Sequence, residues 1–164
     1  MFDESKHIKE CTEEDYKNMQ YFYVAVDYGQ MNATTYEAFG IDYKNKCVRG
    51  LDEYYYSGRD TGKQKSPSEY ALDFKNFKES ISKETKLSLR FAFIDPSAKG
   101  LAEEIKKQCP DISIKDAKND VPLGISRVQK VLSLFAVYFS PKQKNLVREI
   151  YTYGYDKDLL DKGK

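Results

Sequence analysis

The chain has 164 residues, a length that suits one domain with a complete hydrophobic core. Its 27 Lys and Arg residues nearly cancel its 26 Asp and Glu residues, so net charge does not indicate a nucleic-acid-binding protein. No run approaches the roughly 20 apolar residues of a membrane span, and residues 1–20 lack the apolar segment of a signal peptide. Three cysteines without C-x-x-C spacing argue against a zinc site or a disulfide framework and fit the cytoplasm.

The first half of the chain is predicted to enter the domain through a linker and then to form a meander of strands. Residues 1–20 are densely charged and show no clear periodicity, which indicates a linker or a loosely attached helix. Short polar connections join the three strand-like runs that follow, which favours antiparallel pairing. A basic stretch without apolar residues, 57–66, is predicted to be an exposed loop. The three runs are Tyr21–Asp27, Thr34–Ile41 and Cys47–Tyr56.

The second half alternates helices with strands. Ser66, Pro67 and Glu69 predict a helix start with a capping box, and an apolar stripe continues to Ile81. The elements expected after it are a strand over 89–95, a helix over 97–108, a strand over 112–114, a helix from Asp120 and a helical segment over 141–150. This order is typical of an α/β, RNase H-like fold, in which a mixed sheet of three antiparallel strands and then parallel strands is flanked by helices.

Two aspartates, Asp27 and Asp95, each end an apolar strand. In an open α/β sheet, ligand chemistry gathers at the carboxyl ends of such strands. Backbone-bending residues follow both acids, so the carboxylates are expected at a rim, where hard oxygen ligands suit Mg²⁺ or Mn²⁺. Phosphodiester hydrolysis with two metal ions requires at least such a pair of acids. An aspartate after a strand is also an ordinary turn residue, and that interpretation stays open.

The basic stretch offers three cations, Arg59, Lys63 and Lys65, that could contact successive phosphates of a nucleic-acid backbone. A solvated surface loop is the alternative interpretation. His7 is the only histidine of the chain and lies in the polar first segment. A histidine-based nuclease and a Ser-His-Asp hydrolase are therefore both disfavoured.

Four segments follow one another along the chain: Val24–Thr34, Ser57–Lys65 leading into Glu69-Tyr70, Ile94–Ala98 and Asn119–Gln129. Together they resemble the C-terminal nuclease domain of phage terminase large subunits, specifically the PBSX-like group. The similarity covers residues 21 to about 155. It implies a metal-dependent endonuclease that uses two Mg²⁺ or Mn²⁺ ions to cut concatemeric double-stranded DNA during packaging, in the cytoplasm of a bacterial host.

The resemblance also implies partners and a domain organisation. In a complete packaging motor the partners are an N-terminal ATPase domain of the same protein, the small terminase subunit and the portal. No G-x-x-x-x-G-K-[ST] motif occurs here, so residues 21–164 are interpreted as the nuclease domain alone and residues 1–20 as the remnant of the interdomain connection.

Carried over by residue, Asp27 and Asp95 match the first two metal-binding and catalytic acids, with Asp27 shared between the ions and Asp95 binding one of them. The third acid of the family lies in a D-H-x-x-D-A pattern on a late helix, which this sequence does not contain. Its last acids have no accompanying histidine, so the end of the domain is expected to be truncated and the second ion to bind weakly. Those acids are Asp156, Asp158 and Asp161.

Three alternatives remain. An actin-like nucleotide-binding domain is suggested by the run Val26-Asp27-Tyr28-Gly29 followed by Thr34, although no second glycine-rich phosphate loop is found. A resolvase-like or transposase-like nuclease would use the same fold with specificity for DNA junctions or ends. A non-catalytic packaging or docking module is the third.

Overall fold

The computed structural model describes residues 2–118 and 121–152. Within these residues the centre is a six-stranded mixed sheet in the order β5-β4-β1-β2-β3-β6. Strands β1, β2 and β3 pair antiparallel, whereas β4 pairs parallel to β1, β5 to β4 and β6 to β3. The predicted RNase H-like fold is confirmed. The strands are β1 Tyr21–Asp27, β2 Ala33–Asp42, β3 Cys47–Ser57, β4 Ser88–Ile94, β5 Ser113–Asp116 and β6 Val137–Tyr138.

Helices precede β1 and fill the connections between the strands from β3 onward. Residues 144–152 are helical as well, and none of the described helices is long and apolar enough to cross a membrane. One difference from the sequence prediction is a helical turn in the basic stretch, which begins because the Ser57 hydroxyl accepts a hydrogen bond from the Asp60 amide at 3.2 Å. The helices are α1 Glu4–His7, α2 Glu13–Lys17, α3 Gly58–Thr61, α4 Pro67–Thr85, α5 Lys99–Gln108 and α6 Val121–Ser133.

Helix α4 begins at the predicted capping box. The Ser66 hydroxyl accepts from the Glu69 amide at 3.3 Å, and the Ser66 amide donates to the Glu69 carboxylate at 2.7 Å. Pro67 occupies the first helical position, where its missing N–H costs nothing. The apolar stripe of the helix is buried as predicted, and it forms the main core with one face of the sheet. That stripe consists of Tyr70, Phe74, Phe77 and Ile81.

The two faces of the sheet have different environments, because successive side chains of a strand point to opposite sides. In β1 the residues Phe22 and Val24 are buried in the main core, whereas Asp27 is exposed on the other side. Glu37 of β2 and Glu53 of β3 lie opposite each other across their strands, and Glu37 also lies opposite Ala25. We call the side that carries Asp27, Glu37 and Glu53 the acidic face.

The segment before β1 packs against the domain. His7 is 1% exposed, its Nε2 lies 2.9 Å from the Leu132 carbonyl oxygen, and its own carbonyl accepts from the Phe139 amide at 2.7 Å. The Asp15 carboxylate is 3.5 Å from the Arg49 guanidinium. No periodicity in the sequence predicts these contacts. The assignment of residues 1–20 to an interdomain linker stays a prediction.

Candidate functional site

The two predicted acids stand side by side at one edge of the sheet. In the parallel pairing of β1 with β4, Ala25 lies opposite Phe93 and Val26 opposite Ile94. Asp27 is the next residue of β1, and Asp95 directly follows β4. The register therefore carries both carboxylates to the same carboxyl edge, although they are far apart in the chain.

The electrostatics of Asp27 reflect this neighbour. The pKa of its carboxyl is raised, first because the surrounding elements partly desolvate it and second because the negative charge of Asp95 is close. A divalent cation would remove this repulsion, and carboxylate oxygens are the donors that Mg²⁺ and Mn²⁺ prefer. In the described part of the chain no group of three or more His, Cys, Asp or Glu side chains is placed to hold a metal ion. The pair thus fits an ion that completes its coordination with water or substrate oxygens.

Local hydrogen bonds hold the turns that follow the two acids. The Asp95 carboxylate accepts from the Ser97 amide at 2.8 Å, which forms an Asx turn. After Asp27, the buried Thr34 hydroxyl bonds to the backbone of Gly29 at 3.3 Å. A Cβ on Gly29 would lie 2.5 Å from the Ala33 carbonyl oxygen, so this close turn excludes other residues.

The basic stretch reaches the same edge of the sheet. Ser57, where β3 ends, lies opposite Ala33 at the start of β2, and the Gln64 side chain donates to the Gln30 carbonyl in the turn after Asp27. Arg59 and Lys63 are exposed there.

Lys65 differs from the other two cations of this stretch. Its ammonium lies 2.6 Å from the Asp73 carboxylate of α4 and 4.4 Å from the centre of the Tyr56 ring. Asp73 and Tyr56 therefore already contact the Lys65 ammonium. The sequence alone gave no reason to distinguish Lys65 from Arg59 and Lys63.

One further acid was not identified by the sequence analysis. Glu149, in the helix over residues 144–152, has a raised pKa because of partial desolvation and then the negative charges of Asp27 and Glu53. Its carboxylate is therefore close to the acidic face. Sequence carries no signal for this, because the acid follows no strand and the helix comes to lie against the sheet only through folding. Asp120, where a helix is predicted to begin, and the three last acids of the chain lie outside the described residues.

A buried acid lies beneath this helix. Glu37 is 8% exposed and its pKa is raised to about 10, first by burial and then by its hydrogen bond to the Glu53 carboxylate. Glu37 also accepts from the Gln143 side-chain amide at 3.2 Å. At neutral pH Glu37 is therefore protonated and carries no charge.

Glu37→Gln is expected to remove a pH dependence from the stability of the fold. The folded state keeps the Glu37 proton up to about pH 10, whereas the ordinary carboxyl loses it near pH 4.5. The stability contributed by Glu37 is thus complete below pH 4.5 and is lost as the pH rises toward 10. Glutamine does not titrate, so the variant does not lose stability in this way as the pH rises. The Tm of the variant minus that of the parent should therefore increase by about 3 °C or more between roughly pH 5 and pH 8.5.

The neighbouring acids are the same in both proteins, so the difference in Tm reports the replacement of Glu37. Thermal unfolding followed by circular dichroism over this pH range measures it, and Glu103→Gln, at an exposed site of α5, is the matched control. A Tm difference that stays constant across the range would contradict a protonated Glu37.

Comparison with known proteins finds similarity to viral terminases. No protein-family model and no curated protein sequence matches the chain. Among solved structures, the large terminase of a thermophilic bacteriophage, in complex with ADP, is 31% identical and aligns over 91% of this chain with a TM-score of 0.77. The resemblance to phage large terminases is confirmed. The terminase-like chain covers 35% of the length of that thermophilic phage protein.

Two nuclease domains of other terminases share the fold. The nuclease domain of the P22 large terminase is 11% identical, with a TM-score of 0.64 over 91% of this chain and 75% of that one. The terminase nuclease domain of human cytomegalovirus, in a structure soaked with manganese, is 11% identical, with a TM-score of 0.51 over 82% and 77%. At these identities the likeness concerns the fold alone. Together the similarities support a terminase-related nuclease.

Proposed function

We propose that this chain is a metal-dependent endonuclease that hydrolyses double-stranded DNA for a viral packaging terminase. The observation that carries the proposal is the placement of Asp27 beside Asp95 at the carboxyl edge of two parallel strands. The raised pKa of Asp27 supports it, because adjacent carboxylates without a cation repel each other. The similarity to terminase nuclease domains supports the choice of DNA as substrate.

The two aspartates would hold Mg²⁺ or Mn²⁺. When bound, two such ions supply Lewis acidity at the scissile phosphate and a more acidic water. In this proposal Asp27 binds both ions and Asp95 binds one. The Asx turn at Ser97 orients the Asp95 carboxylate. Gly29 has no side chain, so a phosphate could approach the backbone of the close turn after Asp27.

The DNA backbone is proposed to cross the edge next to the acids. Arg59 and Lys63 are exposed there and would neutralise phosphates on either side of the scissile one. Lys65 is proposed to contribute less, since Asp73 already neutralises its charge. Because these contacts are to the backbone, they bring affinity without reading sequence.

The wider assignments follow from the resemblance. The chain covers only about a third of the thermophilic phage large terminase, 35% of its length. An ATPase domain in the same protein, the small terminase subunit and the portal are therefore proposed partners. Pull-down of the whole parent protein with purified portal tests this, and absence of binding would contradict it.

Supercoiled plasmid incubated with the purified chain tests the nuclease assignment. Nicked and linear products are expected with Mn²⁺, and EDTA should prevent their formation, because the two carboxylates hold the reactive centre only through a cation. Cleavage of equal rate in EDTA would contradict the metal-dependent mechanism.

Replacing Arg59 and Lys63 together by alanine is expected to weaken DNA binding at all sequences alike. Two phosphate contacts are lost, so the slope of log affinity against log salt should fall by about 2. Fluorescence anisotropy of a labelled duplex over a salt series measures the slope. The matched control replaces Lys44 and Lys83, two exposed cations at the opposite edge of the sheet. An unchanged slope in the first double variant, or an equal loss in the control, would contradict the placement of DNA.

A further inference from the structure

Three aromatic side chains lie on the part of the acidic face that β1 and β4 form. Successive side chains of a strand alternate between faces, so Tyr23 is on the same side of β1 as Asp27. Tyr23 lies opposite Phe91 in the parallel pairing, and Phe93 is two residues further along β4. The centre of the Tyr23 ring is 6.2 Å from that of Phe91 and 6.5 Å from that of Phe93. We call Tyr23, Phe91 and Phe93 the aromatic patch.

The aromatic patch stands apart from the apolar cores of the described residues. Its rings are half-buried, and they belong neither to the main core nor to a smaller cluster around Phe139. Phe39 of β2, which lies opposite Tyr23, joins that smaller cluster together with Leu146. The helix over residues 144–152 therefore packs on the β2 side of the acidic face. Apolar side chains grouped at a surface in this way mark a binding site.

Two cations lie over the rings of this surface. The carbon of the Arg90 guanidinium is 4.8 Å from the centre of the Phe91 ring and 5.5 Å from that of Tyr21. The Lys115 ammonium is 4.9 Å from the centre of the Phe91 ring, and Lys115 lies opposite Phe93 in the pairing of β4 with β5. Both cations are exposed, so a phosphate can reach each of them beside the ring. Positive charge and aromatic rings thus share one surface.

The aromatic patch is continuous with the edge that carries the two aspartates. Tyr23, Ala25 and Asp27 are alternate residues of β1 and lie on the same face. Since a strand rises by 3.2 to 3.4 Å per residue, Tyr23 is roughly 13 Å from Asp27 along β1. Ala25 between them is small and exposed, so β1 leaves this path open.

We propose that the aromatic patch binds single-stranded DNA. Bases stack on the rings of Tyr23 and Phe93, and the phosphates pair with the two cations, Arg90 and Lys115. Such a combination fits a single strand, because every base has a flat face and the backbone is negatively charged. The choice of DNA rests on the proposed function, whereas the contacts themselves require no metal ion. The patch thereby holds an unpaired strand beside the acids, while the basic stretch contacts the duplex.

A short fluorescent oligothymidylate tests the proposal by anisotropy in EDTA, where metal-dependent cleavage does not occur. Tyr23→Leu and Phe93→Leu are each expected to weaken binding about 10-fold, because base stacking on the ring is lost. Phe93→Tyr keeps a ring and should bind the oligomer as the parent does. Tyr151→Leu is the matched control, since this exposed ring belongs to the helix over residues 144–152 and should not affect binding.

Two further measurements separate stacking from charge and from a loss of stability. An abasic oligomer carries the same phosphates without bases, so Phe93→Leu should leave its binding unchanged. Replacing Arg90 and Lys115 together by glutamine should lower the slope of log affinity against log salt by about 1.4, the value for two phosphate contacts to a single strand. The same replacement of Lys44 and Lys83 should leave the slope unchanged.

Equal affinity of Phe93→Leu and the parent for oligothymidylate would overturn the proposal, as would an equal loss with the abasic oligomer. A parent protein that fails to bind the oligomer and sediments as a dimer, which Phe93→Leu separates, would also overturn it, since the patch would then hold a second copy of the chain. Failure of the proposed function gives a different result. Plasmid would then stay uncut with Mn²⁺ while the oligomer still binds through the patch.

Discussion

Asp27→Asn is expected to lower metal-dependent DNA cleavage by more than about 100-fold. Asparagine keeps the shape of the side chain but removes the charge that would bind both ions, and even residues that only support metal ligands contribute 10- to 100-fold. The initial rate of plasmid nicking at saturating Mn²⁺ measures the loss. Asp95→Asn should act in the same direction, because Asp95 stands beside Asp27 at the same edge.

The fold should survive this change, which separates catalysis from stability. Removing one of two neighbouring negative charges relieves repulsion, so the Tm of Asp27→Asn without metal should equal or exceed that of the parent. Asp111→Asn is the matched control, since this exposed acid precedes β5 at the opposite edge of the sheet. Nicking by Asp27→Asn at the parent rate would refute the assignment of the site.

Gly50→Ala is expected to destabilise the fold by about 2 to 4 kcal/mol. The new Cβ would lie 1.8 Å from the Gln143 side-chain oxygen and 2.9 Å from the Ser140 amide nitrogen. Gln143 is fully buried, so moving it leaves the Ser140 amide without its acceptor, and overpacking adds to that cost. The expected fall in Tm is about 4 to 12 °C.

Gly100→Ala provides the matched control for this prediction. Gly100 lies in α5 and has no atom within 4 Å of the position that a Cβ would take. Alanine there should be neutral or stabilising, because it favours helix over glycine. Equal Tm values for Gly50→Ala and the parent would show that β3 does not need close contact with Gln143.

Much of the fold was predictable because its signals are local. The apolar run that ends at Asp27 and the run that ends at Asp95 both form strands, and the capping box at Ser66 begins α4 as predicted. The order of the elements then indicated the RNase H-like sheet. Sequence alone missed β6, whose two residues are too short for a periodicity to appear.

The sequence showed that residues 57–66 form a basic stretch, but it did not predict the contacts of this stretch. A turn of helix forms at Gly58–Thr61, and Lys65 pairs with Asp73 of α4. Both features depend on partners that other parts of the fold bring near, so three cations that look equivalent in the sequence have different neighbours.

The sequence by itself determined which two acids stand at strand ends. The periodicity of a strand and the residues that form a turn depend on only a few adjacent positions. Only the tertiary structure decided that these acids are neighbours and that Glu53 caps the helix over residues 144–152. Parallel pairing of β1 with β4 brings the two aspartates together, and the Glu53 carboxylate of β3 accepts from the Asn145 and Leu146 amides at the start of the helix. These are contacts between residues far apart in the chain, which local patterns cannot specify.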